Sequence, residues 1–127
     1  MSYLQVPYGQ KNPNLPFHPA VRAGDFVFVS GQVAKDENGT MLEGTIEQLT
    51  RATIEAMRRA LRAADCDLKD VVKVTTYLED TRDFGRYNGV FKEYFPDGML
   101  ARTTVQAAAA INTKIEIECI AYKPLSA

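Results

Sequence analysis

The residues best suited to chemistry lie in the last third of the chain. Arg102 follows the Asp97-Gly98-Met99-Leu100 turn, and Glu116 and Glu118 stand two positions apart in Ile115-Glu116-Ile117-Glu118. Arginine receives a carboxylate in a planar, bidentate fork. Arg102 is therefore either a clamp for a small acid or a plain surface charge at the start of a strand. Both segments alternate as strands do. Arg102, Thr104 and Gln106 point one way, while Thr103, Val105 and Ala107 point the other. In the last segment Ile115, Ile117, Cys119 and Ala121 share one face, and Glu116, Glu118, Ile120 and Tyr122 share the opposite one. A carboxylate confined beside Ile120 and Tyr122 is a candidate for a raised pKa and for holding a water. The competing reading makes both glutamates edge-strand charges that discourage aggregation.

Composition narrows the chemistry further. The 127 residues include one histidine, His18, which excludes a His-rich metal site and a His–His acid/base pair. Catalysis must then run on carboxylates, hydroxyls, arginine and backbone groups. Fifteen basic and 16 acidic side chains leave a net charge of −1, with no general field to attract nucleic acid or an anionic membrane. Cys66 and Cys119 are 53 positions apart and match neither a CxxC pair nor a disulfide framework, so both are expected to be reduced and buried. The N-terminus lacks the basic and apolar regions of a signal peptide, and no apolar run reaches the length of a membrane span. A cytoplasmic protein with no membrane partner is expected.

The length suits a single domain over residues 1–127. Four of the six prolines fall in the first 20 residues, which are expected to run as extended or turning coil. Phe26-Val27-Phe28-Val29-Ser30 reads as a strand ending at Gly31, and Asp36-Glu37-Asn38-Gly39 as a turn. Thr45-Ile46-Glu47-Gln48 is a capping box. Ile46, Leu49, Ile54, Met57, Leu61 and Ala64 follow it at helical spacing, predicting an amphipathic helix to about Ala64. Arg51, Arg58, Arg59 and Arg62 fall mostly on its outer face, where Glu43, Glu47, Glu55 and Asp65 offset them; a solvated face is favoured over a nucleic-acid surface.

Val71 to Leu78 reads as a buried strand, and Asp80-Thr81 caps a second helix striped by Phe84, Tyr87, Phe91 and Tyr94/Phe95. Pro96-Asp97-Gly98 ends that helix. Thr103 to Ala110 and Ile115 to Tyr122 are expected to form a final hairpin across Ile111–Lys114. The whole predicts an α+β fold with two helices on one face of a mixed sheet. Two helices leave the other face bare, so homo-oligomerisation is expected to cover it.

The segment Leu100-Ala101-Arg102-Thr103-Thr104-Val105-Gln106-Ala107, followed by Ile115-Glu116-Ile117-Glu118, resembles the RidA/YjgF family of enamine/imine deaminases, also described as L-PSP endoribonucleases. Pro16-Phe17, Val29-Ser30-Gly31-Gln32 and Tyr87-Asn88-Gly89-Val90-Phe91 extend the resemblance over nearly the whole chain. It implies a chorismate-mutase-like fold, a homotrimer with pockets between subunits, and hydrolysis of 2-aminoacrylate and related imino acids to 2-keto acids and ammonia without a cofactor. By that resemblance Arg102 clamps the substrate carboxylate and Glu116 holds the attacking water. Gly31 offers backbone contacts, and Phe17, Asn88 and Thr104 line the pocket.

The chain departs from the family at Phe17, where many members carry tyrosine, at Thr104, where many carry cysteine, and at Leu100, where proline is usual. Thr104 keeps a hydroxyl but no thiol, and Phe17 lacks a phenol for the substrate. His18 either replaces that lost polar contact or is a surface histidine. Two rival functions accompany these departures: a relative that binds small carboxylates or modulates a partner enzyme, and a ribonuclease, which the balanced charge disfavours. A final hairpin turning near Asn112 would set Glu116 opposite Ala109, with Arg102 about seven residues along and roughly 23 Å away. One small substrate could not span that gap, so either the strand bends sharply or a neighbouring subunit supplies one of the two residues.

Overall fold

The capping box forms as its spacing predicts. The Gln48 amide donates to Thr45 Oγ1 at 3.2 Å, and the Thr45 amide donates to Gln48 Oε1 at 2.9 Å. This launches α1 (Ile46–Ala63), which buries Ile46, Leu49, Ile54, Met57 and Leu61. Thr50 and Thr53 are also buried on α1, and each hydroxyl donates back to a carbonyl one turn earlier at 2.7 Å, so neither is left unpaired. Asp65, with φ of 60°, turns the chain out of the helix.

The computed structural model describes residues 5–125. Around α1 run β1 (Gln5–Tyr8), β2 (Ala20–Ala23), β3 (Phe26–Val33), β4 (Val71–Leu78), α2 (Phe84–Tyr94), β5 (Ala101–Gln106) and β6 (Ile115–Tyr122). The six strands form one sheet in the order β1-β2-β3-β6-β4-β5. Both helices pack on one face of this mixed sheet, as expected, and the core between them includes Val27, Val29, Val74, Leu78, Ile115, Ile117 and Cys119.

Three expectations are corrected. The proline-rich first 20 residues contain β1 and the first residue of β2, which pair antiparallel with each other and, through β2, with β3. Each strand has only four residues, and Pro7 is tolerated because β1 is an edge strand. The third strand does not stop at Gly31 but continues to Val33. Its register against β6 shifts between Val29 and Gln32, so Gly31 marks a bulge rather than an end. The final hairpin does not exist. β5 lies at the sheet edge parallel to β4, while β6 inserts antiparallel between β3 and β4. A parallel pair requires a crossover, and α2 supplies it between β4 and β5.

One tyrosine ties α2 to the sheet. Tyr87 is fully buried, its hydroxyl 2.6 Å from Thr76 Oγ1 and 3.4 Å from Thr104 Oγ1. Tyr87→Phe is expected to lower stability by about 1–2 kcal/mol, because it strands the buried Thr76 hydroxyl. An unchanged urea midpoint would contradict that account.

The face of the sheet away from the helices carries Phe26, Phe28 and Tyr122 at 42%, 41% and 45% exposure, together with Val105 and Ile120. The Phe26 and Tyr122 rings stand 5.2 Å apart.

Candidate functional site

Glu116 stands on the helix-free face of β6, paired with Tyr77 on β4 and Val33 on β3. The Gly31 bulge lies directly beneath it: a Cβ built at Gly31 would collide with the Glu116 carboxylate. Beside the bulge, Ser30 Oγ donates to the His18 carbonyl at 2.7 Å and the Ser30 amide to the Pro19 carbonyl at 2.9 Å. These bonds hold the Phe17–Pro19 segment against the Ser30–Gly31 end of β3, with the Phe17 ring 51% exposed.

Burial, and then the charge of Glu118, push the Glu116 carboxyl above the ordinary carboxylate range. Glu118 itself is engaged, accepting from the Tyr77 hydroxyl at 2.5 Å, and that bond raises the Tyr77 pKa. A carboxyl in this state is suited to take a proton from a water and return it. Gly31→Ala should therefore displace the flexible Glu116 carboxyl while sparing the fold. Turnover is expected to fall about tenfold or more, as misplaced catalytic groups do, with the melting temperature little changed. Equal turnover in the alanine variant would argue that Glu116 is not used from this position.

Arg102 is built on the opposite face. It pairs with Val74 on β4, whose side chain is in the core, so Arg102 and Thr104 point toward the helices. The guanidinium carbon lies 4.7 Å from the Phe91 ring centroid, 5.0 Å from Tyr87 and 5.7 Å from Phe84. Among the described residues no carboxylate forms a salt bridge with it. Asn88, Phe91, Phe95, Leu100 and Arg102 line a cavity of about 470 Å³. The Asn88 side-chain oxygen is buried there without a partner. A larger cavity of about 690 Å³ lies nearby around Arg58, Asp67 and Tyr94, but its arginine is already held by Asp67 at 3.1 Å. The smaller cavity combines a guanidinium that no carboxylate holds among the described residues with the unpartnered Asn88 oxygen, and is the better carboxylate site.

The candidate residues thus gather into two groups, Glu116 with Gly31 and the Phe17–His18 segment, and Arg102 with Asn88 and Thr104. Glu116 is opposite Tyr77, Tyr77 is opposite Val105, and Arg102 is three positions further along β5. Two strand spacings and three residues make roughly 14 Å, not the roughly 23 Å that a hairpin required. The gap is smaller than expected, yet the sheet stands between the two side chains, so a single chain does not bring them to one substrate.

Tyr77 and the three rings against Arg102 escaped the sequence reading. The Phe84, Tyr87, Phe91 spacing was legible only as a helix stripe, and the partner of Tyr77 depends on strand order.

The sequence model of the Endoribonuclease L-PSP family matches residues 9–123. The mitochondrial protein mmf2 of Schizosaccharomyces pombe is 46% identical over 110 residues, covering 84% of this chain and 86% of that protein. The 2-iminobutanoate/2-iminopropanoate deaminase of Mus musculus is 35% identical over 110 residues, covering 85% and 82%. A crystal structure from Thermotoga maritima superposes with a TM-score of 0.87 at 38% identity, covering 94% of this chain and 98% of that one.

Proposed function

The chain belongs to the endoribonuclease L-PSP family, also called the RidA/YjgF family, and from that premise we propose that it hydrolyses small enamine and imine acids of the 2-aminoacrylate type to 2-keto acids and ammonia. The observation that carries this reading is the pair of complementary half-sites: on one face a guanidinium that no carboxylate holds among the described residues, and on the other a desolvated carboxyl over a glycine bulge. Neither half suffices alone. In this reading the protein is a homotrimer, and each site takes Arg102, Asn88 and Thr104 from one subunit and Glu116, Gly31 and Phe17 from its neighbour. The apolar face of Phe26, Phe28, Ile120 and Tyr122 supports such an assembly, since exposed patches of this kind mark interfaces.

The chemistry asks little of the protein. Protonation of the enamine carbon by solvent gives the iminium, whose carbon is already electrophilic. Arg102 receives the substrate carboxylate and fixes the distance to Glu116. Water held by Glu116 adds to the imine carbon as the carboxylate takes its proton. Glu116 returns that proton to the nitrogen of the carbinolamine. The C–N bond then breaks, the hydroxyl proton is released, and the balance is iminium plus water to ketone plus ammonium. The family residues at Phe17 and Thr104 that this chain lacks are not needed for any of these transfers.

The deciding assay generates 2-aminoacrylate with a serine dehydratase and follows the decay of its imine. Decay no faster than in buffer would remove the enzyme reading and favour the second one, a relative that only binds small carboxylates. Phe17 is the observation behind that alternative, because its exposed ring carries no hydroxyl for a substrate. Ribonuclease activity has less support: of the four α1 arginines Arg51 pairs with Glu93, Arg58 and Arg62 pair with Asp67, and Arg59 donates to the Lys35 carbonyl. No helix among the described residues is long and apolar enough to cross a membrane. A cytoplasmic location is retained from the sequence, and cell fractionation tests it against the mitochondrial assignment of the Schizosaccharomyces pombe relative.

A further inference from the structure

Arg102 meets three aromatic rings and, among the described residues, no carboxylate. Phe84, Tyr87 and Phe91 come from successive turns of α2, at the spacing that stacks side chains on one helix stripe. The rings are themselves held. The Tyr87 hydroxyl is tied to Thr76, Phe91 leans on Tyr87 at 5.7 Å, and Phe91 stacks on Phe95 at 4.7 Å with an interplanar angle of 29°. A cation within about 6 Å of a ring centroid is attracted by the ring's negative face. Here three such attractions act together on one guanidinium.

We propose that Phe84, Tyr87 and Phe91 are positioning residues, an aromatic seat that pre-orients the Arg102 guanidinium so that the carboxylate of a small 2-imino or 2-keto acid is received on its free N–H edge. This deepens the function proposed above and rests on it. No carboxylate among the described residues occupies the guanidinium, so its donors stay free for a bidentate partner. An arginine already held in place loses less side-chain freedom when the ligand arrives. The seat touches neither the imine carbon nor the water. It therefore acts on binding of the carboxylate, which is alike in ground and transition states, and its loss should raise KM rather than lower kcat.

The test measures pyruvate binding by calorimetry, together with kcat and KM on 2-aminoacrylate, in the full-length protein. Phe91→Leu and Phe84→Leu are expected to weaken pyruvate binding and raise KM by roughly three- to tenfold each, the range of one cation–π contact. Phe91→Tyr, which keeps the ring, should restore most of the affinity. In an Arg102→Ala background, Phe91→Leu should have no further effect, because the seat acts only through the guanidinium. Phe84 is 42% exposed, so its leucine variant guards against a folding defect at the buried Phe91.

An unchanged pyruvate affinity in both leucine variants overturns the seat. So does an equal loss with and without Arg102, or a fall in kcat at constant KM. Wild type that binds pyruvate through Arg102 without hastening imine decay removes the proposed hydrolysis and leaves the seat to be judged on affinity. Wild type that binds no pyruvate removes both.

Discussion

Arg102→Ala is expected to lower kcat/KM for 2-aminoacrylate by about 10²–10³-fold, in keeping with the roughly 2–5 kcal/mol lost when one partner of a desolvated charge pair is truncated. The loss should exceed any change in stability. Arg102 forms no salt bridge among the described residues, and its contacts are the three rings and the β5 backbone pairing. Arg102→Lys is expected to recover only part of the rate, since an ammonium is a point charge and cannot present the two parallel donors of a guanidinium. Steady-state kinetics beside a thermal melt check both statements. A rate loss that merely tracks a falling melting temperature would show a structural role instead.

Glu116→Gln should reduce kcat by about 10²–10⁴-fold, the usual contribution of a positioned acid/base. The pH dependence follows from the raised pKa of Glu116. Hydrolysis needs the ionised carboxylate, so kcat/KM of the wild type rises with pH along an acid limb placed above the ordinary carboxylate range. The glutamine variant loses that limb. Charged and titratable neighbours on the packed strands are Glu118 on β6 and Tyr77 on β4, while β3 contributes Gly31–Val33 without a titratable group. Glu118→Gln removes a negative charge, so the limb should move to lower pH. It should not return fully to the ordinary range, because burial is the larger cause.

Stability has the opposite sign. A carboxyl with a raised folded-state pKa binds its proton more tightly when folded, so stability is lost as pH rises from the ordinary carboxylate range through the folded pKa. Glu116→Gln is therefore expected to raise the melting temperature at neutral pH and to leave it unchanged below about pH 4. A variant that is inactive yet more stable is what a desolvated working group predicts.

The two variants also test the shared site. Each variant alone is expected to be impaired, but random mixing of the two in the proposed trimer leaves about one quarter of the interfaces with both native residues. Activity should reappear on co-refolding. Its absence would require one chain to supply both groups.

Much of the fold was legible locally. The Thr45 capping box, the α1 stripe and the alternation of β6 are set by neighbours within a few residues, and each is found where spacing put it. Alternation also sorted Arg102 with Thr104, and Glu116 with Glu118, onto common faces. Strand pairing beyond local reach is not legible in the sequence. Nothing near β5 reports that its partner is β4 rather than β6, and Pro7 disguises β1 as coil.

The sequence by itself determined which residues share a strand face, the α+β class, the Arg102 and Glu116 candidates, and chemistry without histidine pairs, because spacing, side-chain type and composition are properties of short segments. Only the tertiary structure decided that β6 lies inside the sheet, that Gly31 underlies Glu116, and that Arg102 rests on three rings across the sheet from it. Strand order is chosen by the burial free energy of the whole core, to which residues far apart in the chain contribute together.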